Sequence, residues 1–286
     1  MSTLPIGVFL PSLSDRNAAV PDPVAAAVHA ESLGFESVWV VDQLIAGTGN
    51  SILDSTLVLA GAAAVTENIR LALGVLIVPL RERAWIAKQV ATLQHLSRGR
   101  LVLGVGVGGD RHDRSWQAVG VRRSERGRRL DATLAVLPDL IAGREVDGVQ
   151  LAPGATVPPI VVGGIADAAV RRAEAHDGWF LLPMTPAGVS EAAARVSVPV
   201  TANQTVAIVG DPALPSRAEL IQLMIDPDGL YGIPAEVVDQ FLLYGEPDEI
   251  AERLQAYGEA GAARVVVTFA AGVWQRQAEL LANAAD

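Results

Sequence analysis

The chain has 286 residues, half of them hydrophobic and 19% charged, so it can bury a large core and is not a disordered chain. Its net charge of −10 disfavours general nucleic-acid binding, and no apolar run reaches the ~18 residues that a membrane span needs. Cysteine is absent, which excludes disulfides, thiolate metal sites and a cysteine nucleophile.

The mean hydropathy, +0.33, is high for a chain without a spanning segment. The longest apolar run, Leu71–Leu80, is bounded by Arg70 and Arg81. The opening MSTLPIGVFLPS has no basic stretch, so a signal peptide is not expected and the expected location is cytoplasmic. Lys88 is the single lysine, and no P-loop pattern surrounds it. Neither a metal-binding His spacing nor a GxSxG elbow occurs, so no metal site or serine hydrolase is expected.

In chain order, short apolar runs alternate with segments of helical period. Strand Ile6–Leu10 precedes helix Pro23–Leu33, and Ser37–Val41 precedes Ser55–Thr66. Strand Arg70–Val78 leads to helix Trp85–Leu96, and Leu101–Val105 to Glu125–Ile141. Next come Ile160–Val162 with Ala166–Ala175, and Gly178–Leu182 with Pro186–Val196. Thr205–Val209 is followed by short helices at Arg217–Ile225 and Ala235–Leu243, then by Pro247–Ala260. Strand Arg264–Phe269 and helix Trp274–Ala285 end the pattern. Most strands are continuous apolar runs, as parallel strands buried on both faces require. Eight βα units imply an α/β fold, either a (β/α)8 TIM barrel or a doubly wound sheet, in a single domain over 1–286. Two long connections, Gly106–Ser124 and Gly210–Gly245, read as functional insertions, and "VDGVQLAPG" as a small hairpin.

Several residues carry chemistry in this pattern. Gly104, Gly106 and Gly109 match GxGxxG directly after a strand, but Asp110-Arg-His-Asp-Arg follows rather than a small-residue helix. These glycines admit a dinucleotide loop, relief of crowding at a barrel rim, or a cofactor ring lying on the loop. Gly163-Gly164 precedes a helix whose N-terminal amides and dipole suit a phosphate, or else forms a tight turn. Asp42 lies just past the second strand, where a barrel carboxylate reads as a site residue, an N-cap or a loop carboxylate. His112 lies in the loop after the fourth strand, and His29, His95 and His176 read as structural or surface residues. The arginines between Arg111 and Arg129 either attract an anionic tail or form a solvated face with Glu125 and Asp131.

Four blocks in order resemble the bacterial-luciferase-like superfamily of flavin and deazaflavin oxidoreductases. They are "AESLGFESVWVVDQL" (Ala30–Leu44), Thr66–Gly109 through "LSRGRLVLGVGVGG", "PPIVVGG…AEAHDGWF", and "GEPDEIAERLQAYGEAGAARVVV". The resemblance implies a TIM barrel with insertions at its C-terminal rim, and FMN or coenzyme F420 as redox partner. It implies a cis peptide at Gly74–Val75 in a bulge of the third strand. By position, Asp42, Gly74, Val75, Val107, Gly108, His112, Gly163 and Gly164 would line the cofactor site. Family members often carry a histidine where this chain has Gln43, and the sugar-phosphate branch a glutamate where it has Gly109. Oxidation of a sugar alcohol is therefore disfavoured, since removing a hydroxyl proton needs a placed base. Gln43 can orient a carbonyl or an oxygen adduct, and Asp113 or water is the fallback proton donor.

The expected activity is F420-dependent hydride transfer with a small or medium organic substrate. F420 is preferred because the Ala/Arg-rich, Lys-poor composition looks actinobacterial and the arginines suit an acidic tail. An FMN-dependent monooxygenase is the alternative, and a catalytically silent flavin-binding barrel a further one. The resemblance and the high apolar fraction also imply a homodimer, so light scattering at micromolar concentration is expected to give twice the chain mass. A monomeric mass would contradict it.

Overall fold

The computed structural model describes residues 4–14, 18–47, 50–109, 113–225 and 234–285. Eight parallel strands form a ring: β1 (Ile6–Phe9), β2 (Ser37–Val40), β3 (Arg70–Leu73), β4 (Leu101–Gly106), β5 (Ile160–Gly163), β6 (Gly178–Phe180), β7 (Val200–Ile208) and β8 (Ala262–Phe269). Each pairs in parallel with the next, and Ile6↔Val265 joins β1 to β8, which closes the barrel. A TIM-type barrel replaces the doubly wound alternative, and the dinucleotide-loop reading of GxGxxG lapses with it.

The outer helices are α1 (Pro23–Ser32), α2 (Ser55–Val65), α3 (Arg83–Leu96), α4 (Arg126–Leu134), α5 (Asp167–Glu174), α6 (Pro186–Ala193), α7 (Pro247–Glu259) and α8 (Trp274–Ala285). Their starts follow local chemistry. Asp22 accepts from the Val24 and Ala25 amides at 3.1 and 2.9 Å, and Asp54 from Thr56 and Leu57 at 2.9 and 3.0 Å. Proline stands in the first turn of α1, α6 and α7, where a missing N–H costs nothing.

Register sets the interior layers. A shear of about 8 raises each neighbouring strand by about one residue. Following the pairings, Trp39, Gly104, Phe180 and Val266 from even strands form one layer. Phe9, Gly74, Gly163 and Asn203 from odd strands form the layer above it. Trp39 and Phe180 lie 5.1 Å apart between ring centroids, and Phe9 meets Phe180 edge-on at 6.3 Å. Below them, Arg264 closes the barrel floor. It donates to both Glu36 oxygens at 2.6 and 2.7 Å, and its guanidinium lies 5.9 Å from the Trp39 ring centroid.

Several elements depart from the sequence reading. Strand Arg70–Val78 breaks after Leu73, resumes at Leu76–Ile77 and runs into a 3-10 turn at Val78–Leu80. Helix Glu125–Ile141 divides into a 3-10 turn, α4 and Leu137–Ile141, because Pro138 has no N–H to continue the ladder. β7 starts at Val200 rather than Thr205, and Leu242–Gly245 is a strand paired with β7 outside the ring rather than a helix end. Leu13–Ser14 and Ser51–Ile52 pair antiparallel beside the barrel. The expected hairpin is present as a Val146–Val149 bridge across Asp147-Gly148, both at positive φ.

Two side chains anchor the start of β3. Glu31 accepts from the amides of Glu67, Asn68 and Ile69 at 2.6–3.1 Å, and Arg100 donates to the carbonyls of Ala63, Thr66 and Ile69. Burial opposes ionisation of Glu31, but the three amides outweigh it and hold its carboxyl below the ordinary glutamate value. A lowered native pKa gives stability that is complete above the unfolded value, about 4.3, and is lost as pH falls through the native one. Glu31→Gln is therefore expected to lower the urea midpoint at pH 7. The gap to the wild type should close in acid, below the native pKa. A gap that is the same at both pH values would refute this role.

Candidate active site

The C-terminal end of β3 forms a ledge in the barrel mouth. The Gly74–Val75 peptide is cis, as the resemblance implied. A Cβ on Gly106 would stand 2.7 Å from Val75 Cγ2, and one on Gly163 would stand 3.0 Å from both Val75 methyls. A Cβ on Gly104 would collide with the Leu73 carbonyl and stand 3.0 Å from Val75 Cγ1. Three glycines on β4 and β5 thus make the seat for one valine. Gly74 itself has Phe9 and Trp39 against it, and a Cβ there would lie 2.8–2.9 Å from both rings. Gly104 and Gly106 relieve crowding, as one of the three readings had it, but within β4 rather than in a loop at the barrel rim. Val75, Gly106 and Gly163 present a surface nearly free of protruding side chains.

Asp42 fixes this ledge. It is 5% exposed, and its two oxygens take four donors. Arg81 binds both of them at 2.7 Å, the Ile77 amide donates at 2.8 Å, and Ser55 Oγ donates at 2.8 Å from the first residue of α2. The carboxylate therefore ties the end of β2 to the segment that follows the β3 break and to α2. The sequence marked Asp42 but not Arg81, which lies 39 positions away. Gln43 follows, half-buried, at the same rim.

After β4, Val107 and Gly108 are half-buried, and Gly108 has a φ of +78° against Ile77 and Trp116. His112 lies outside the described residues. Asp113 is exposed and stands 3.6 Å from Arg123. The basic segment divides its charges. Arg122 and Arg128 pair with Glu125, Arg129 with Glu82 and the Pro79 carbonyl, and Asp131 is taken by Arg172. Arg126 has no ion-pair partner among the described residues. Burial and the neighbouring Arg123 charge lower its pKa, and Asp113 opposes them.

After β5, Gly163 and Gly164 are half-buried, with Gly164 at φ +117°. The Gly164 carbonyl accepts from Trp179 Nε1 at 2.6 Å, and its amide donates to the Phe180 carbonyl at 3.3 Å. Helix α5 then begins at Ala166 without a side-chain cap, which leaves its first-turn amides open to an anion. The exposed Asp167 in that turn pairs with Arg195 at 2.6 Å.

On the opposite side, Asn203, Thr205 and Thr268 are half-buried on β7 and β8, and Asn203 faces inward in register with Val266. Sequence reasoning missed Asn203, because it breaks the apolar run that marks a strand. Leu44, Ile165, Leu182 and Val273, in the connections after β2, β5, β6 and β8, are each about half exposed around the mouth. Asp211 braces this rim through the amides of Ala213 and Val273 at 2.9 and 2.7 Å. Burial opposes its ionisation, but these amides, Gln277 and Arg276 hold its carboxyl below the usual range.

His29, His95 and His176 contact Glu279, the Gly154 carbonyl and the Arg172 carbonyl, in keeping with structural roles. Among the described residues no cluster of metal-ligating side chains occurs, and no helix is long and apolar enough to cross a membrane. A groove of about 400 Å³ between α4 and α5 lies outside the barrel, with the Asp131–Arg172 pair at its wall.

Residues 4–202 match the model of the family described as luciferase-like monooxygenase. An uncharacterised protein of Mycobacterium tuberculosis is 34% identical over 142 residues, 46% of this chain and 49% of that one, so the matched region spans about half the length of this curated relative. Among solved structures, an F420-dependent secondary alcohol dehydrogenase in complex with an F420-acetone adduct superposes with a TM-score of 0.78 at 14% identity, over 99% of this chain and 98% of that one. The oxygenating constituent of 3,6-diketocamphane monooxygenase from Pseudomonas putida, in complex with FMN, gives 0.73 at 17% identity, over 99% and 98%. At these identities the two structures establish the likeness of fold.

The Asp42 clamp generates a stability test. Asp42→Asn removes the bidentate partner of Arg81, leaving it only Asp54 at 3.9 Å, and is expected to cost about 2–3 kcal/mol, at the low end for a broken buried pair because Arg81 is 21% exposed. Urea denaturation measures it. Unchanged stability would mean that the carboxylate does not hold the ledge.

Proposed function

The chain belongs to the luciferase-like monooxygenase family of flavin- and F420-dependent oxidoreductases, and on that premise we propose that it is a coenzyme F420-dependent oxidoreductase. It would transfer a hydride between the deazaflavin and a small or medium organic substrate. The observation that carries this reading is the glycine-seated ledge: Val75 between Gly104, Gly106 and Gly163, above Phe9, Trp39 and Phe180. A flat apolar shelf at the C-terminal mouth of a barrel suits one face of a planar ring.

When bound, the deazaflavin supplies the hydride chemistry. The chain's residues supply position and environment. Val75 and Gly74 present the shelf, and Asp42 with Arg81 keeps it in place. Phe9, Trp39 and Phe180 exclude water from below. The uncapped start of α5, beside Gly163-Gly164, would hold a phosphate through its amides and dipole. Arg126, which has no ion-pair partner among the described residues, favours a cofactor with an acidic tail, which supports F420 over FMN. No ionisable side chain stands at the described interior positions of the upper layers. Such a site suits reduction of an activated double bond, with a proton from Asp113 or water, better than alcohol oxidation.

A second reading, an FMN-dependent monooxygenase, is favoured by the matched family itself. Fluorescence titration with F420 and with FMN separates the two. Tight F420 binding with reductase turnover is expected. Tight FMN binding with oxygen uptake would replace the proposal by the second reading. Binding of either without turnover over a broad substrate panel would make the protein a silent flavin-binding barrel.

A further inference from the structure

Two threonines stand side by side in the barrel mouth. Thr205 on β7 and Thr268 on β8 are register partners, so their Cα atoms lie about 4.8 Å apart across neighbouring strands. Alternation along each strand fixes where they point. Val266 packs in the interior cluster with Phe9, Trp39 and Phe180, and Thr268 follows it by two residues on the same face. Val206 and Ile208 pack with Leu254 and Leu281 of the outer helices, so Thr205, which alternates with them, faces inward. The pair is two residues nearer the C-terminal mouth than Asn203 and Val266. Both threonines are half-buried and reach solvent, whereas Asn203 Oδ1, one layer deeper, is buried. Among the described residues neither hydroxyl has a protein hydrogen-bond partner. Their inward-facing neighbours are apolar. Leu182, 49% exposed, follows Phe180 by two residues beside β7, and Phe9 follows Val8, the partner of Val267, beside β8. In the eight-strand ring, β7 and β8 lie opposite β3 and β4, across the mouth from the Val75 ledge.

We propose that Thr205 and Thr268 are specificity-determining residues that together donate hydrogen bonds to one carbonyl oxygen of the substrate. The inference rests on the redox reading above and names the substrate class within it, an apolar organic molecule that carries a carbonyl group. Hydroxyls on adjacent strands converge on a single atom, because bonds of about 2.8 Å from each side span the gap between them. A carbonyl oxygen has two lone pairs and takes both. With Leu182 and Phe9 on either side, that oxygen fixes the orientation of an otherwise apolar molecule. Hydrogen bonds to the oxygen also draw electron density from a conjugated double bond, the polarisation that hydride acceptance needs.

The test uses the purified full chain loaded with whichever of F420 and FMN it binds, in the oxidised state, so that the probes are not reduced. The probes are cyclohexanone and methylenecyclohexane, in which a CH2 group replaces the carbonyl oxygen. Calorimetry gives the Kd of each probe, fluorescence titration the Kd of the cofactor, and infrared difference spectra the carbonyl stretch of bound cyclohexanone. The double variant Thr205→Val, Thr268→Val keeps the shape of both side chains. It is expected to weaken cyclohexanone binding at least about tenfold, and to change the Kd of methylenecyclohexane and of the cofactor by less than about twofold. The bound carbonyl should stretch at lower frequency in the wild type than in that variant. Thr205→Ser with Thr268→Ser keeps both donors and should behave as the wild type. A wild type that does not bind cyclohexanone, equal losses for the two probes, or an unchanged stretch overturns the proposal. A cofactor Kd that rises in the valine variant and not in the serine variant overturns it too and assigns the hydroxyls to the ring. A wild type that binds neither F420 nor FMN overturns the redox reading, and this inference with it.

Discussion

The side chain of Val75 needs space inside a barrel that is otherwise filled. Gly104, Gly106 and Gly163 provide it, and a single methyl on any of them would meet Val75 or the β3 backbone at 3.0 Å or less. Interiors at crystal-like density cannot absorb such an overlap without moving the backbone. Two strands, β4 and β5, therefore make room for one valine, and the shape of the mouth depends on them. Asp42 holds the arrangement from behind. Its four hydrogen bonds come from Ile77 on the strand that resumes after the break, from Arg81 beyond it and from Ser55 on α2, so the ledge is held at more than one point.

The same constraint explains what the sequence disclosed and what it hid. Continuous apolar runs such as Ser37–Val40 and Leu101–Val105 marked the ring strands, because parallel strands are buried on both faces. β7 was legible only from Thr205, since Thr201 and Asn203 point into the barrel and interrupt the run. The glycines of β4 were visible, but a linear pattern cannot tell a phosphate loop from space made for a neighbour's side chain. Only their closeness to Val75 shows that Gly104 and Gly106 make space for a side chain. Asp42 was read as a site residue or a cap from its place at a strand end, and as a cofactor residue only from the family resemblance. Its saturation by Arg81, Ser55 and Ile77 is a long-range fact that no local spacing encodes. The bulge at Gly74–Val75 came from the family resemblance and not from periodicity, which ran a strand straight through it.

The electrostatics of the chain divide by position. The net charge is −10, yet several carboxylates are spent on structure: Glu31 on the start of β3, Glu36 on Arg264, Asp42 on Arg81 and Asp211 on the rim. Among the described residues the mouth otherwise shows apolar surface, amide and hydroxyl, with Asp113, Arg123 and Arg126 beyond it. Such a mouth can orient, exclude water and grip an anion, and leaves the redox step to a bound ring.

On the proposed reading the ring rests on the Val75 ledge, and a crystal structure of the F420 complex would reveal its position. Planar density is expected over Val75 between Gly106 and Gly163, with the phosphate toward the start of α5. Density in the groove between α4 and α5, or at the barrel floor beside Arg264, would contradict it.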